Sequence, residues 1–165
     1  MQLFKSVKQL QPSQYKAHAG LAFRSVHGTL CHLLQADRIW TSTLRLDFTE
    51  INELGPMWHR DDLYAGPDDS SSYWEDVVPD FETLEALLLA QADTLIQTVS
   101  NLSEDQISGT LMYPTTSGAS FAVPFSKAIL HAVNHATHHR GQVSAALIKM
   151  GLAPPVMDYM YYGRK

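Results

Sequence analysis

The sequence predicts an all-α fold, a four-helix bundle with one long crossover connection. Proline-free segments with apolar residues at every third or fourth position account for most of the chain. Segments with strand character are confined to two short runs, too little β-structure to define the class. The chain has 165 residues, 45% of them hydrophobic and 18% charged, which is enough for one domain with its own core. We therefore treat residues 1–165 as a single helical domain.

The first two predicted helices are defined by proline and by apolar spacing. The first is short, about residues 2–10, because Pro12 follows it. The second covers about residues 22–46 without a proline. Its apolar faces come from six residues: Val26, Leu30, Leu33, Leu34, Trp40 and Leu44.

Residues 47–79 predict a long irregular connection to the third helix. They include nine of the 17 acidic residues and one basic residue, Arg60, together with Gly-Pro pairs and a run of serines. We expect this connection to lie where it can cover a pocket. The third helix follows Pro79, with Asp80 as its N-cap.

The fourth helix has the clearest boundaries. It begins at Pro124 and ends at Gly151, a span of about 26 residues or roughly 39 Å. Before it, residues 110–113 and 120–123 flank a Pro-Thr-Thr-Ser-Gly segment. This arrangement predicts a small β-hairpin ahead of the last long helix.

Charge and cysteine content exclude several classes of protein. Twelve Lys and Arg against 17 Asp and Glu give a net charge of −5, so we expect no nucleic-acid-binding surface. No apolar run reaches the ~20 residues that a membrane helix needs, so we expect no membrane association. The single cysteine, Cys31, excludes an intrachain disulfide and is typical of a reducing compartment. We expect a cytoplasmic protein.

Histidine is the unusual residue of this chain, with eight copies, four of which lie between positions 131 and 139. At 100° per residue, His131, His135, His138, His139 and Gln142 share an arc of about 100° on the fourth helix. His135 and His139 are one turn apart, so their rings can converge on a metal ion. The spacing alone leaves a second interpretation open, a solvated face that is rich in histidine.

A third ligand is available on the second helix. His32 follows Ala22 by as many residues as His135 follows Phe125, so the two histidines lie at similar heights if the helices pack side by side. A metalloprotease motif is absent, because Ala136 stands where that motif needs glutamate.

Residues 135–142, with the sequence His-Ala-Thr-His-His-Arg-Gly-Gln, resemble the signature helix of the DinB/YfiT-like metalloenzymes, the DinB family. Residues 27–40 resemble the second helix of that family, with its ligand histidine at His32. Residues 113–118 resemble the turn that precedes its last long helix. The resemblance extends from about residue 19 to residue 162.

This resemblance implies an up-down-down-up four-helix bundle, often dimeric, in which three histidines hold nickel, zinc or iron. The matching positions are His32, His135 and His139. We therefore expect one divalent metal ion per chain, zinc or nickel in the first place and iron as an alternative. His138 is left out because it lies 60° from His135 on the helix. The chain departs from the family in its short first helix and its long acidic connection.

The function implied by the resemblance is that of a metal-dependent, thiol-using transferase or hydrolase, with a low-molecular-weight thiol or another small molecule as its partner. The alternative is a non-catalytic metal-binding stress-response protein with the same three ligands. We also expect a homodimer, because the helices carry large apolar faces that the short first helix cannot cover alone.

The supporting residues have two interpretations each, and no catalytic residue is assigned. Gln142 either enters the pocket or orients a histidine. His131 is either a general base or a histidine packed near the wall of the bundle. Asp37 and Arg140 are interpreted first as an ion pair between helices and second as catalytic groups.

Overall fold

A computed structural model of the protein describes residues 2–64, 66, 71–153, 155–158 and 160. This part of the chain is mostly helical and carries one two-stranded sheet. The long helices are α3 (Val26–Leu44), α6 (Phe81–Ser100) and α8 (Phe125–Lys149). The short helices are α1 (Gln2–Val7), α2 (Pro12–Tyr15), α4 (Thr49–Leu54), α5 (Tyr73–Val77) and α7 (Glu104–Ser108), with a 3₁₀ helix η1 (Gly55–His59). The strands are β1 (Thr110–Pro114) and β2 (Ser120–Pro124).

The first helical segment is shorter than the sequence predicted. A single helix over residues 2–10 was expected, but α1 ends at Val7 and α2 begins at Pro12, the proline that was predicted to stop it. Leu3 and Phe4 of α1 are buried, and α1 contacts α8. The chain therefore begins with two short helices, of which the first contributes to the core.

Helix α3 begins at Val26, four residues later than predicted. Ser25 has an extended backbone, and its side chain accepts a hydrogen bond from the amide of Gly28, which caps the helix. Arg24, just before the cap, has a φ of 67°, a left-handed conformation that no helix interior adopts. The chain turns at Arg24, and this turn keeps Phe23 outside the helix.

The remaining long helices and the hairpin confirm the predictions. Asp80 caps α6 by accepting a hydrogen bond from the amide of Thr83 at 2.7 Å. Helix α8 begins directly after Pro124 and is followed by Gly151 with a φ of 84°. Strands β1 and β2 pair antiparallel, with Thr110 opposite Pro124. The hairpin leads straight into α8.

The core lies where α3 contacts both α6 and α8. The side chains that meet there are aliphatic and almost fully buried. They include Val26, Leu30 and Leu34 from α3, Leu84 and Leu88 from α6, and Val143 and Leu147 from α8. Burying a side chain of this kind stabilises the fold by about 1.5–3 kcal/mol. This packing sets α3 beside α8.

The acidic connection is more regular than predicted, because it contains α4, η1 and α5. Helices α4 and α5 contact α3. Two ion pairs tie the connection to α3 and to the turn before it, Arg38–Glu50 at 2.8 Å and Arg24–Glu75 at 3.1 Å. Acidic residues of the connection thus meet basic residues of the N-terminal segment, which has no acid of its own before Asp37.

The sequence predicts that no helix of this protein crosses a membrane. Within the described ranges, no helix is both long enough and apolar enough to cross a membrane.

Candidate metal centre

Three histidines from two helices meet at the interface of α3 and α8. The Nε2 atom of His135 lies 3.3 Å from Nε2 of His32 and 3.1 Å from Nε2 of His139. One nitrogen of each ring lies within 4.8 Å of the others. The structure therefore brings together all three residues that the sequence singled out. We call this cluster the histidine triad.

The spacing of the triad fits a divalent metal ion. Imidazole nitrogens bind zinc at about 2.0–2.1 Å, so two of them lie about 3.4 Å apart in a tetrahedral site and about 3.0 Å apart in an octahedral one. The two observed separations, 3.3 and 3.1 Å, fall in that interval. Nitrogen and imidazole ligands suit zinc, nickel, iron and copper, so the ligand set alone does not select the metal.

The triad is held in its neutral, metal-binding form by burial. His32 and His139 are buried, and burial is the largest factor that lowers the pKa of each ring. The pKa of His32 falls to about 2 and that of His135 to about 4, because nearby histidines add to the effect of burial. Neutral imidazoles at pH 7 are available as ligands without losing a proton.

Gln142 fixes the orientation of His139. Its Oε1 atom accepts a hydrogen bond from Nδ1 of His139 at 2.8 Å, and its amide nitrogen donates to Nε2 of His138 at 3.0 Å. A proton on Nδ1 of His139 leaves Nε2 with its lone pair directed at the triad. The structure therefore supports the interpretation that Gln142 orients a histidine. Gln142 also lines the pocket beside the triad.

Aromatic rings enclose His32. The ring of Phe23 stacks on that of His32 at 3.7 Å between centroids and 14° between planes. Trp58 and Trp74 approach the same imidazole edge-on at 5.3 and 5.1 Å. The indole nitrogen of Trp74 donates to the carbonyl of Leu63 at 2.8 Å, which fixes this ring within the connection.

No pattern in the sequence indicates these aromatic neighbours of His32. Phe23 lies before the helix cap, and Trp58 and Trp74 lie in the acidic connection, where helical periodicity carries no information. Their placement depends on how the connection folds back onto α3.

A pocket of about 490 Å³ opens beside the triad. Its walls come from α3, α8, the connection and the β1–β2 turn. Ile51, Trp58 and Tyr64 belong to the connection, which confirms the expectation that this segment covers a pocket. His59 ties the connection to the turn by donating from Nε2 to the carbonyl of Thr116 at 2.9 Å.

The other residues that the sequence analysis selected lie outside the triad. His131 lines the pocket with its ring 4.4 Å from that of Trp40, so it packs near the wall, and burial lowers its pKa. His138 is exposed and bonds Gln142 outside the triad. Cys31 is a buried free thiol whose nearest acceptor is the carbonyl of Val78 at 3.8 Å.

The predicted ion pair between Asp37 and Arg140 is wrong. Both residues are among those that the structure describes, and no hydrogen bond or ion pair joins their side chains. Arg140 donates to Thr137 at 2.9 Å instead, whereas Oδ1 of Asp37 is buried without a hydrogen-bond partner. Each still influences the other through space, but burial dominates and raises the pKa of Asp37 to about 7. The helical spacing places the two residues on flanking faces of their helices, but this does not bring their side chains into contact.

Comparisons with known proteins agree with the motif. The model of the DinB family matches residues 1–165. A curated relative, "Protein DinB" of Bacillus subtilis (strain 168), is 24% identical over 161 residues, which cover 98% of this chain and 85% of the relative. No solved structure matches the chain significantly.

Proposed function

Because this chain belongs to the DinB family, we propose that His32, His135 and His139 hold one divalent metal ion and that the protein is a metal-dependent, thiol-using transferase or hydrolase. The observation that carries the proposal is the convergence of three Nε2 atoms at ligand spacing in a buried cluster. Zinc or nickel is the proposed metal, with iron as the alternative.

The chemistry of such a site follows from its ligands. Three neutral imidazoles leave a bound ion its full double charge, and the ion supplies a Lewis acid that lowers the pKa of a thiol or water beside it. The residues of the chain orient and enclose the site. Gln142 fixes the tautomer of His139, and Phe23 covers one face of His32. Trp58 and Tyr64 line the pocket that a small molecule would occupy beside the triad.

A non-catalytic metal-binding stress-response protein is the alternative function. It requires the same three ligands and no open coordination position. The pocket of about 490 Å³ favours the enzyme, because a storage or structural site has no need of a cavity beside the metal.

Metal analysis of single variants tests the ligand assignment. We expect protein purified without a nickel column to carry one ion per chain, measured by native mass spectrometry with elemental analysis. His32→Ala, His135→Ala and His139→Ala should each lose most of the metal, because two imidazoles hold an ion much less tightly than three. His138→Ala is the matched control and should retain it. Full occupancy in His32→Ala would refute the assignment.

A cobalt titration separates the enzyme from the metal-binding module. In cobalt-substituted protein, a small thiol that binds at the triad should add a sulfur charge-transfer band in the near ultraviolet. A site closed by a protein group should show no change. The titration belongs in a Cys31→Ser background, because the buried thiol of Cys31 is the alternative sulfur source.

A cytoplasmic homodimer with the family's up-down-down-up bundle completes the proposal. Leu130, Val133 and Ile148 share one exposed face of α8, with 61%, 50% and 54% of their surfaces accessible. Exposed apolar faces of this kind mark interfaces. Light scattering should give twice the chain mass of 18.4 kDa at micromolar concentration. Val133→Glu should halve that mass, whereas Ile96→Glu, which places the same charge on exposed α6, should not. A single-chain mass for the unmodified protein would contradict the dimer.

A further inference from the structure

We infer that the pocket beside the histidine triad binds an uncharged small molecule with an aromatic body, which reaches the triad through a single metal-binding donor atom. This inference rests on the proposed metal site and narrows the class of ligand that the site uses.

The walls of the pocket are aromatic on two sides. Next to the triad, Phe23 lies 5.7 Å from Tyr64 between ring centroids, and Trp58 lies 5.3 Å from His32. On another side, Trp40 lies 5.7 Å from Tyr113. Aromatic rings prefer edge and offset contacts at such distances, so a flat ring between these walls finds partners on both sides. A volume of about 490 Å³ is in the range of pockets that enclose a small organic ligand.

The same walls carry no formal charge. Among the described residues that line the pocket, none is Asp, Glu, Lys or Arg. The polar groups are imidazole, amide, hydroxyl and peptide groups. Beyond the reach of an ion at the triad, a carboxylate or phosphate on the body of the ligand would lose its hydration without gaining a cation from the lining, which is strongly unfavourable. The lining therefore selects against charged bodies.

The surroundings of the pocket oppose anions further. Ile51, Trp58 and Tyr64 come from the acidic connection, whose one basic residue, Arg60, is paired with Asp62 at 2.7 Å. A segment with this charge repels an approaching polyanion. A cationic body is disfavoured for a different reason, because a divalent ion at the triad already places two positive charges there. Ligands with an uncharged body are therefore the class that remains.

Three thiols that share the donor atom but differ in the body test the inference. Benzyl mercaptan has a neutral aromatic body, 4-(mercaptomethyl)benzoate carries a carboxylate that is too far from the sulfur to chelate the same ion, and 4-(aminomethyl)benzyl mercaptan is cationic. Isothermal titration of zinc-loaded protein should give benzyl mercaptan a Kd at least ten times lower than either of the others. Equal or tighter binding of a charged thiol would overturn the inference, and so would the absence of benzyl mercaptan binding at full zinc occupancy.

Zinc occupancy is measured separately, so the two proposals fail in different ways. If zinc does not bind, the proposed function falls, and the same thiols are titrated into metal-free protein. Benzyl mercaptan should bind there more tightly than the anionic thiol, because the uncharged lining alone disfavours a carboxylate. The reverse order overturns the inference.

A pair of lysine variants tests whether the lining itself is responsible. Thr116 lines the pocket on the β1–β2 turn, and Ser117 is its exposed neighbour outside the pocket. Thr116→Lys should tighten the binding of 4-(mercaptomethyl)benzoate at least threefold and leave that of benzyl mercaptan within twofold. Ser117→Lys should change neither. An equal gain from both lysines would assign the effect to long-range charge and refute the role of the lining.

Discussion

Replacing Gly28 with alanine tests how tightly the turn before α3 is packed onto the helix that carries His32. A Cβ added at Gly28 would lie far closer than 3.0 Å to the carbonyl oxygen of Phe23, a separation that real Cβ atoms essentially never show. It would also lie 3.1 Å from Cβ of Trp74 and 3.2 Å from a carboxylate oxygen of Glu75. Because the nearest neighbour is a backbone atom, no change of rotamer relieves the clash.

The expected magnitude follows from two opposing effects. In an ordinary helix, alanine in place of glycine stabilises by about 0.8–1.0 kcal/mol. Overpacking of a buried position costs about 1–3 kcal/mol and sometimes more, and here the turn at Arg24 would also have to move. With a cost at the upper end of that range, offset by the helical gain, we expect Gly28→Ala to lower the free energy of unfolding by about 2 kcal/mol. Because the turn positions Phe23 on His32, metal affinity should fall in the same variant.

Gly141→Ala on α8 is the matched control, since a Cβ there meets nothing within 4 Å. It should raise the free energy of unfolding by up to about 1 kcal/mol. Urea unfolding followed by circular dichroism, with a chelator present to exclude the contribution of metal, measures both variants. If Gly28→Ala is as stable as the unmodified protein at an unchanged m-value, the packing described for this turn is refuted.

Three further substitutions probe the buried polar groups. Burial raises the pKa of Asp37 from 3.8 to about 7, because the buried carboxyl group is more favourable when it is protonated. The stability that this protonated group contributes is fully present below pH 3.8 and is lost as the pH rises through about 7. Asp37→Asn should therefore change the free energy of unfolding little at pH 4 and raise it at pH 8 by about 4 kcal/mol at most. Unfolding curves at the two pH values measure both effects, and equal effects would contradict this reasoning. Gln142→Ala should weaken zinc binding about 10–100-fold in a chelator competition, because Nδ1 of His139 loses its hydrogen-bond partner. An unchanged Kd for zinc would argue against an orienting role for Gln142. Glu75→Gln should destabilise by about 1.5–3 kcal/mol, because it removes the charge of a buried carboxylate that accepts a hydrogen bond from Arg24. Arg24 is itself partly exposed and keeps its hydrogen bond to the carbonyl of Lys16. A loss below about 1 kcal/mol in urea unfolding would show that this pair does not anchor the connection.

The sequence by itself determined the long helices and the members of the triad. Asp80 marks a helix start through a hydrogen bond to an amide three positions away, and Pro124 marks one through its restricted backbone. The structure agrees at both. His135 and His139 converge because the helical repeat places residues four apart on one face. His32 was selected by its matching height on another helix, on the assumption that the two helices pack side by side, and by the resemblance to the DinB family. The helix starts and the His135–His139 pair depend on local geometry that any helix imposes.

Only the tertiary structure decided what surrounds the triad. The stacking of Phe23 on His32 depends on a left-handed turn at Arg24, which no pattern in the sequence indicates. Trp58 reaches the pocket because ion pairs and buried rings fold a distant acidic segment onto α3. Asp37 shows the converse, since its spacing suggested a partner that its packing does not provide. Contacts between segments far apart in sequence follow from the summed packing of many side chains, and no local periodicity encodes them.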